Sequence, residues 1–170
     1  MTQSPKKPSP LPKRDQQRQG NNQNDNGQQT SEDIVIKMVN KIDKFTGGLK
    51  EYKTRELVED AEELGTRLAE DLKTTQIRKF LDAVNRLKAK LGGSKELTEE
   101  IQSELHLLKP KLAYAAARQQ RDRNPGPVEP LKQVLSAAIN QVKHLDDFTR
   151  LVQLIESIIA YHKAAEGKDQ

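Results

Sequence analysis

Apolar residues along this chain recur at three- and four-residue intervals, and the two-residue alternation of a half-buried strand persists nowhere. Ile34, Val35, Met38, Val39, Ile42 and Phe45 fall on one side of a short amphipathic helix that Gly47–Gly48 closes. Leu57, Ala61, Leu64, Leu68 and Leu72 mark a second helix, with Thr54 as its expected cap and a strongly acidic outer face. A third helix carries Ile77, Phe80, Leu81, Val84, Leu87 and Leu91; Thr74 or Thr75 caps it and Gly92–Gly93 stops it. Thr98-Glu99-Glu100-Ile101 opens a fourth. Pro110 interrupts that one, because its ring removes a donor and crowds the preceding turn. The helix therefore kinks or restarts there and continues from Lys111 to about Arg121.

Beyond the linker Asn124-Pro125-Gly126-Pro127, Pro130 suits the first turn of a helix over Leu131–Lys143. Asp146 or Asp147 caps a last helix running to about Ala165. Phe148, Leu151, Val152, Leu154, Ile155, Ile158 and Ile159 cover about half its circumference and make it the expected central member of the bundle. The predicted fold is all-α, a compact bundle of about five to six helices with no internal repeat. Residues 31–170 form its single domain. Met1–Thr30 is set apart, being rich in Gln and Asn with Met1 and Leu11 as its only apolar side chains, so a disordered tail is expected there. No apolar region follows its basic residues as in a signal peptide, and no apolar run approaches the roughly 18 residues of a membrane span. Zero cysteines exclude disulfides and thiolate metal sites and fit a reducing compartment. A soluble cytoplasmic protein is the simplest expectation.

Charge changes this picture through its distribution. The chain carries 29 basic and 25 acidic residues, a formal net of +4. Glu51–Leu72 has a net of −5, whereas Lys73–Arg123 has a net of +6, and no acidic residue lies between Leu105 and Arg121. Such an island favours a polyanionic partner. At 100° per residue, Lys111, Tyr114, Arg118 and Arg121 share a stripe about 80° wide, while Ala113 and Ala117 fall on the other side, where small residues suit a close neighbouring helix. Lys79, Arg86 and Lys90 form a second stripe on the preceding long helix, with Arg78 about 100° away from it. Gln76 and the helix-start amides at Thr75–Ile77 add potential anion affinity.

Catalytic chemistry has little to work with. His106, His144 and His162 share no metal-ligand spacing, and no serine lies in a nucleophile-elbow context. His162 falls on the apolar face of the last helix and reads as a core or boundary residue, and His106 as a solvent-exposed one. The double glycines end helices and form no phosphate loop. No enzymatic function, metal or cofactor is expected.

Four stretches then resemble one family in order and spacing. Leu108-Lys-Pro-Lys-Leu-Ala-Tyr-Ala-Ala-Ala-Arg118 is similar to the signature of the small subunit of type III-A CRISPR interference (Csm) complexes. TTQIRKFLDAV (Thr74–Val84), the Leu131–Val142 helix and DDFTRLVQLIESIIAYHK (Asp146–Lys163) match further family stretches, so the resemblance covers roughly Arg55 to Lys163. It implies a small, non-catalytic helical subunit for antiviral defence in prokaryotes. Copies of it would stack beside the backbone and large subunits along guide RNA and its paired target RNA. Gln76, Arg78, Lys79, Lys109, Lys111, Tyr114 and Arg118 match the family motifs and are candidate RNA contacts, while Arg86, Arg121 and Arg123 join them by charge and facing alone. Gln76 is open between a cap and a contact, and Tyr114 between the core and a contact. The alternative is a helical protein–protein adaptor whose basic face docks an acidic partner surface, such as the Glu51–Leu72 helix of another copy.

Overall fold

The structure is a computed structural model, and it describes residues 1, 26–120 and 124–166. Seven α-helices are found among these residues: α1 (Asn26–Asp43), α2 (Thr54–Leu68), α3 (Thr74–Leu91), α4 (Glu99–His106), α5 (Leu108–Ala117), α6 (Glu129–Asn140) and α7 (Leu145–Glu166). A single 3-10 turn, Leu49–Glu51, joins α1 to α2. The all-α expectation holds. None of the described helices is long and apolar enough to cross a membrane.

The helices gather around two members rather than one. α7 packs on α2, α3 and the 3-10 turn, burying Phe148, Leu151, Val152, Leu154, Ile155 and Ile158. The second centre is α6, which collects α1, α5 and α4 on Leu131, Val134, Leu135, Ala137, Ala138 and Ile139. Contacts of α1 with α2 and of α3 with α4 join the halves. α7 was expected to be the central helix alone. It shares the role because Ala137 and Ala138 leave α6 room for neighbours on more than one side.

Two glycines permit close approaches to α7. A Cβ on Gly65 would stand 2.7 Å from the Ile158 carbonyl oxygen and 2.9 Å from the His162 amide nitrogen, so α2 can lie this close to α7 only without a side chain there. Gly48 has φ 104°, and a Cβ on it would meet the Asp147 carboxylate at 2.5 Å. That buried carboxylate accepts from the backbone N–H groups of Lys50 (2.8 Å), Lys143 (3.0 Å) and His144 (2.9 Å). Asp147, rather than Asp146, thus caps α7 from within its first turn, reaching back to the residues before the helix while also tethering the 3-10 turn.

Several local expectations change. α1 begins at Asn26, inside the stretch assigned to the tail, because lengthening a helix already anchored by Ile34, Val35 and Met38 needs no new nucleus. The rest of that tail lies outside the described residues. Neither Thr54 nor Thr74 or Thr75 caps a helix. Lys53 and Lys73 take the extended cap conformation, and both helices begin without a side-chain cap bond. Thr54 instead accepts from the Arg150 guanidinium at 2.7 Å. Thr98 does cap α4, accepting from the Ile101 N–H. Pro110 sits in the first turn of α5, where its missing N–H would have no intrahelical partner, and the helix restarts at Leu107–Leu108. The buried side of α5 is Leu108, Leu112 and Ala116, whereas Ala113 and Ala117 are exposed. The step from Leu108 through Leu112 to Ala116 is one helical turn each, and that row, not the flanking alanines, meets α6.

Candidate nucleic-acid interface

α3 and α5 run on either side of an open groove of about 480 Å³. Helical spacing delivers its lining. On α3, Gln76, Lys79, Phe80, Ala83 and Arg86 recur at three- and four-residue steps, and on α5 so do Leu108, Lys111, Ala115 and Arg118. Tyr114, Gln119 and Val128 complete the wall. Phe80, Ala83 and Ala115 are half-buried and Leu108 and Val128 buried, so the floor is apolar carbon. Lys79, Arg86, Lys111 and Arg118 are exposed and stand around it. None of these four cations makes an ion pair with a described carboxylate, nor does Arg78.

Tyr114, left open by the sequence, faces solvent at 66% exposure. The Arg118 guanidinium carbon lies 5.9 Å from its ring centroid, one turn along α5, so the ring and the cation form a single amphipathic surface. A smaller groove continues past Arg86 and Lys111 to Leu107, which is itself exposed, and ends at Lys90. There the basic stripe closes: Lys90 is paired with Glu104 and approaches Glu100 at 3.9 Å, and these carboxylates hold its pKa above the ordinary lysine value, the hydrogen bond to Glu104 most of all.

The structure therefore brings six of the sequence candidates together, namely Gln76, Lys79, Arg86, Lys111, Tyr114 and Arg118. It places two elsewhere. Arg78 is exposed but off the groove, one residue and so about 100° from Lys79. Lys109, about 200° from Lys111, turns toward α6 and donates to the Asn140 side-chain oxygen at 2.7 Å. Arg121 and Arg123 lie outside the described residues.

The start of α3 already holds an anion. Glu166, at the end of α7, accepts from the Thr74 hydroxyl and from the Thr74 N–H at 3.3 Å. The hydroxyl is the main reason its carboxyl titrates below the usual range. The Gln76 N–H bonds to the Lys73 carbonyl at 2.9 Å. Of the helix-start amides expected to attract phosphate, that of Gln76 is thus engaged within the fold, and Gln76 lines the groove wall. Next to this contact, His162 is fully buried, with Nε2 at 2.6 Å from the Leu72 carbonyl oxygen. It is the core residue the sequence suggested, but only half satisfied, since Nδ1 has no hydrogen-bond partner among the described residues and lies 3.9 Å from Glu166 Oε1. The apolar floor was missed by sequence reasoning. Its signal was present in Phe80 and Ala83, which sit between Lys79 and Arg86, but those residues read equally well as core.

Among the described residues no group of three His, Asp or Glu side chains is placed to hold a metal ion. A family model described as Csm2 Type III-A matches residues 51–168, which include α2 through α7 and every candidate contact above. Comparison with curated proteins gives no match, and comparison with solved structures gives none. On the strength of that family match, over more than half its length, the chain belongs to the Csm2 Type III-A family, the small subunits of type III-A CRISPR complexes.

Proposed function

We propose that the chain is a non-catalytic RNA-binding and scaffolding subunit of its complex. It holds the backbone of guide and target RNA on the α3–α5 face, beside the large and backbone subunits and further copies of itself. Pairing to the guide supplies the sequence specificity, a division of labour general to RNA-guided effectors. The observation that carries this reading is the gathering of four exposed cations, Lys79, Arg86, Lys111 and Arg118, from two separate helices around one groove, none of them paired with a described carboxylate. Such a surface neutralises phosphates whatever the base, so binding should be sequence-tolerant and salt-sensitive.

The test is anisotropy of labelled mixed-sequence RNA titrated with the full chain over a range of salt. Four phosphate contacts predict a slope of about −3 in log affinity against log salt on single strands. Changing Lys79, Arg86, Lys111 and Arg118 together to Ala should lower affinity roughly a hundredfold or more and flatten that slope. An unchanged affinity and slope would overturn the reading.

A further inference from the structure

We propose that the groove between α3 and α5 receives an unstacked nucleobase of single-stranded RNA, while the cations around it hold the flanking phosphates. The proposal rests on the RNA-binding reading above and deepens it, because backbone contact alone leaves the floor of the groove unexplained. Phosphates are bound by the rim, but Phe80, Ala83, Leu108 and Val128 offer a phosphate nothing. A continuous RNA duplex presents phosphates and 2′-hydroxyls outward and keeps its bases stacked inside, so it has no apolar surface to lay on such a floor. A base turned out of its stack has one.

Three features suit that occupant. The volume of about 480 Å³ falls within the roughly 300–1,000 Å³ of small-molecule sites, and the groove is open along its length, so a strand can enter sideways without threading. Tyr114 supplies an exposed aromatic face, which accepts any base because every base has a π-face. Arg118 beside that ring places a cation where a phosphate must follow a stacked base. The cations, which pair with no described carboxylate, favour a polyanion: an apolar peptide docked there would bury those charges without partners among the described residues, at a cost that an anionic neighbour offsets.

The experiment compares two single-stranded RNAs of equal length and charge, one of mixed sequence and the same strand with every base removed, together with a continuous duplex, against the full chain. The base-bearing single strand should bind about tenfold more tightly than the abasic strand, the increment of one stacked base. Tyr114→Ala should erase that increment and leave both abasic binding and the salt slope unchanged. Since Tyr114 is exposed, this variant should melt with the parent protein. A 4-thiouridine in the single strand should photo-crosslink to Tyr114 or Phe80. Equal binding of base-bearing and abasic strands, with no effect of Tyr114→Ala, would overturn base insertion and leave the phosphate reading standing. Failure to bind any of the three RNAs at low salt would overturn both, and the groove would then belong to a protein partner.

Discussion

The two charged faces of this bundle are opposite in sign and similar in net charge, yet they differ physically in kind. On the acidic face, four of the five carboxylates of α2 are met from within the fold, and Glu62 is paired with no described cation. Lys37 and Lys41 reach across from α1 to Asp60, with Lys37 also at 3.5 Å from Glu63 and Lys41 at 3.7 Å from Glu56. Arg55 pairs with Glu59 at 2.9 Å, and Arg67 with Glu70. On the basic face, Lys79, Arg86, Lys111 and Arg118 meet no described carboxylate. Summing charge over a segment treats these two cases alike. What decides whether charge is available to a partner is whether a neighbouring element has already neutralised it. The same comparison weakens the adaptor alternative, since an acidic α2 largely engaged by its own α1 offers little to the basic groove of another copy.

The centre of the acidic face is Asp60, and removing it should have the largest effect. Its carboxylate is buried, accepts from the Tyr52 hydroxyl at 2.7 Å and from Lys41, and lies 3.1 Å from the Lys37 ammonium. Burial alone would raise its pKa, but the hydrogen bonds from Lys41, Tyr52 and Lys37 overcome that and hold it below the ordinary aspartate value. The reciprocal effects show on the partners: burial, then Asp60, pushes the Tyr52 phenol far up, and the hydrogen bond to Asp60 raises Lys37. In Asp60→Ala the lysines can turn to water, since their side chains are 53% and 26% exposed, but the Tyr52 hydroxyl cannot. A buried orphan hydroxyl and the lost charge-assisted bonds together should cost about 2–3 kcal/mol, read as a lower urea midpoint at unchanged slope. RNA affinity of the folded variant should not change. If it falls with stability, the two faces are coupled and the comparison fails.

Acid should act on the same face. A carboxylate whose folded pKa lies below its unfolded value of about 3.9 contributes stability that is complete above that value and is lost as pH falls through the folded pKa. Melting temperature should therefore be level at neutral pH and decline below about pH 4, and Asp60→Asn should shallow that decline. Glu166, shifted the same way by Thr74, should leave part of it in place. An Asp60→Asn protein with the full parental decline would remove Asp60 from the account.

How much of this was legible in the sequence depends on which physical scale set it. The helices were, because burial repeats every three or four residues and shows without a partner: Leu57, Ala61 and Leu64, or Phe148, Leu151 and Ile155, needed no knowledge of what they touch. The basic stripes were legible for the same reason. What packs against what was not. The partner of Thr74 is Glu166 and that of Asp147 is Lys50, both about a chain half apart, and no local signal announces either. Caps failed at Thr54 and Thr74 because the residue before each adopts the cap conformation, one step from the residue with the right side chain. The groove lay between these cases. Each wall was legible, but that α3 and α5 face one another across open space is a property of the fold.

The smallest expected effect separates geometry from motif. Lys79 and Arg78 are sequence neighbours, as nearly are Lys111 and Lys109, and the sequence proposed all four as contacts, yet only Lys79 and Lys111 line the groove. Replacing Lys79 or Lys111 singly by Ala should lower RNA affinity about fivefold at moderate salt and reduce the salt slope by about 0.7, the share of one phosphate on a single strand. Arg78→Ala should change affinity less than about twofold, since a cation off the groove makes no direct contact there and acts only through a field that salt screens over a Debye length of about 8 Å. Lys109→Ala should change it equally little, because that ammonium donates to Asn140 on the α6 side. Anisotropy of the four single variants against one labelled strand decides the matter. Equal losses at all four would mean that phosphates follow the sequence motif around the helix surface, and that the groove is not what selects them.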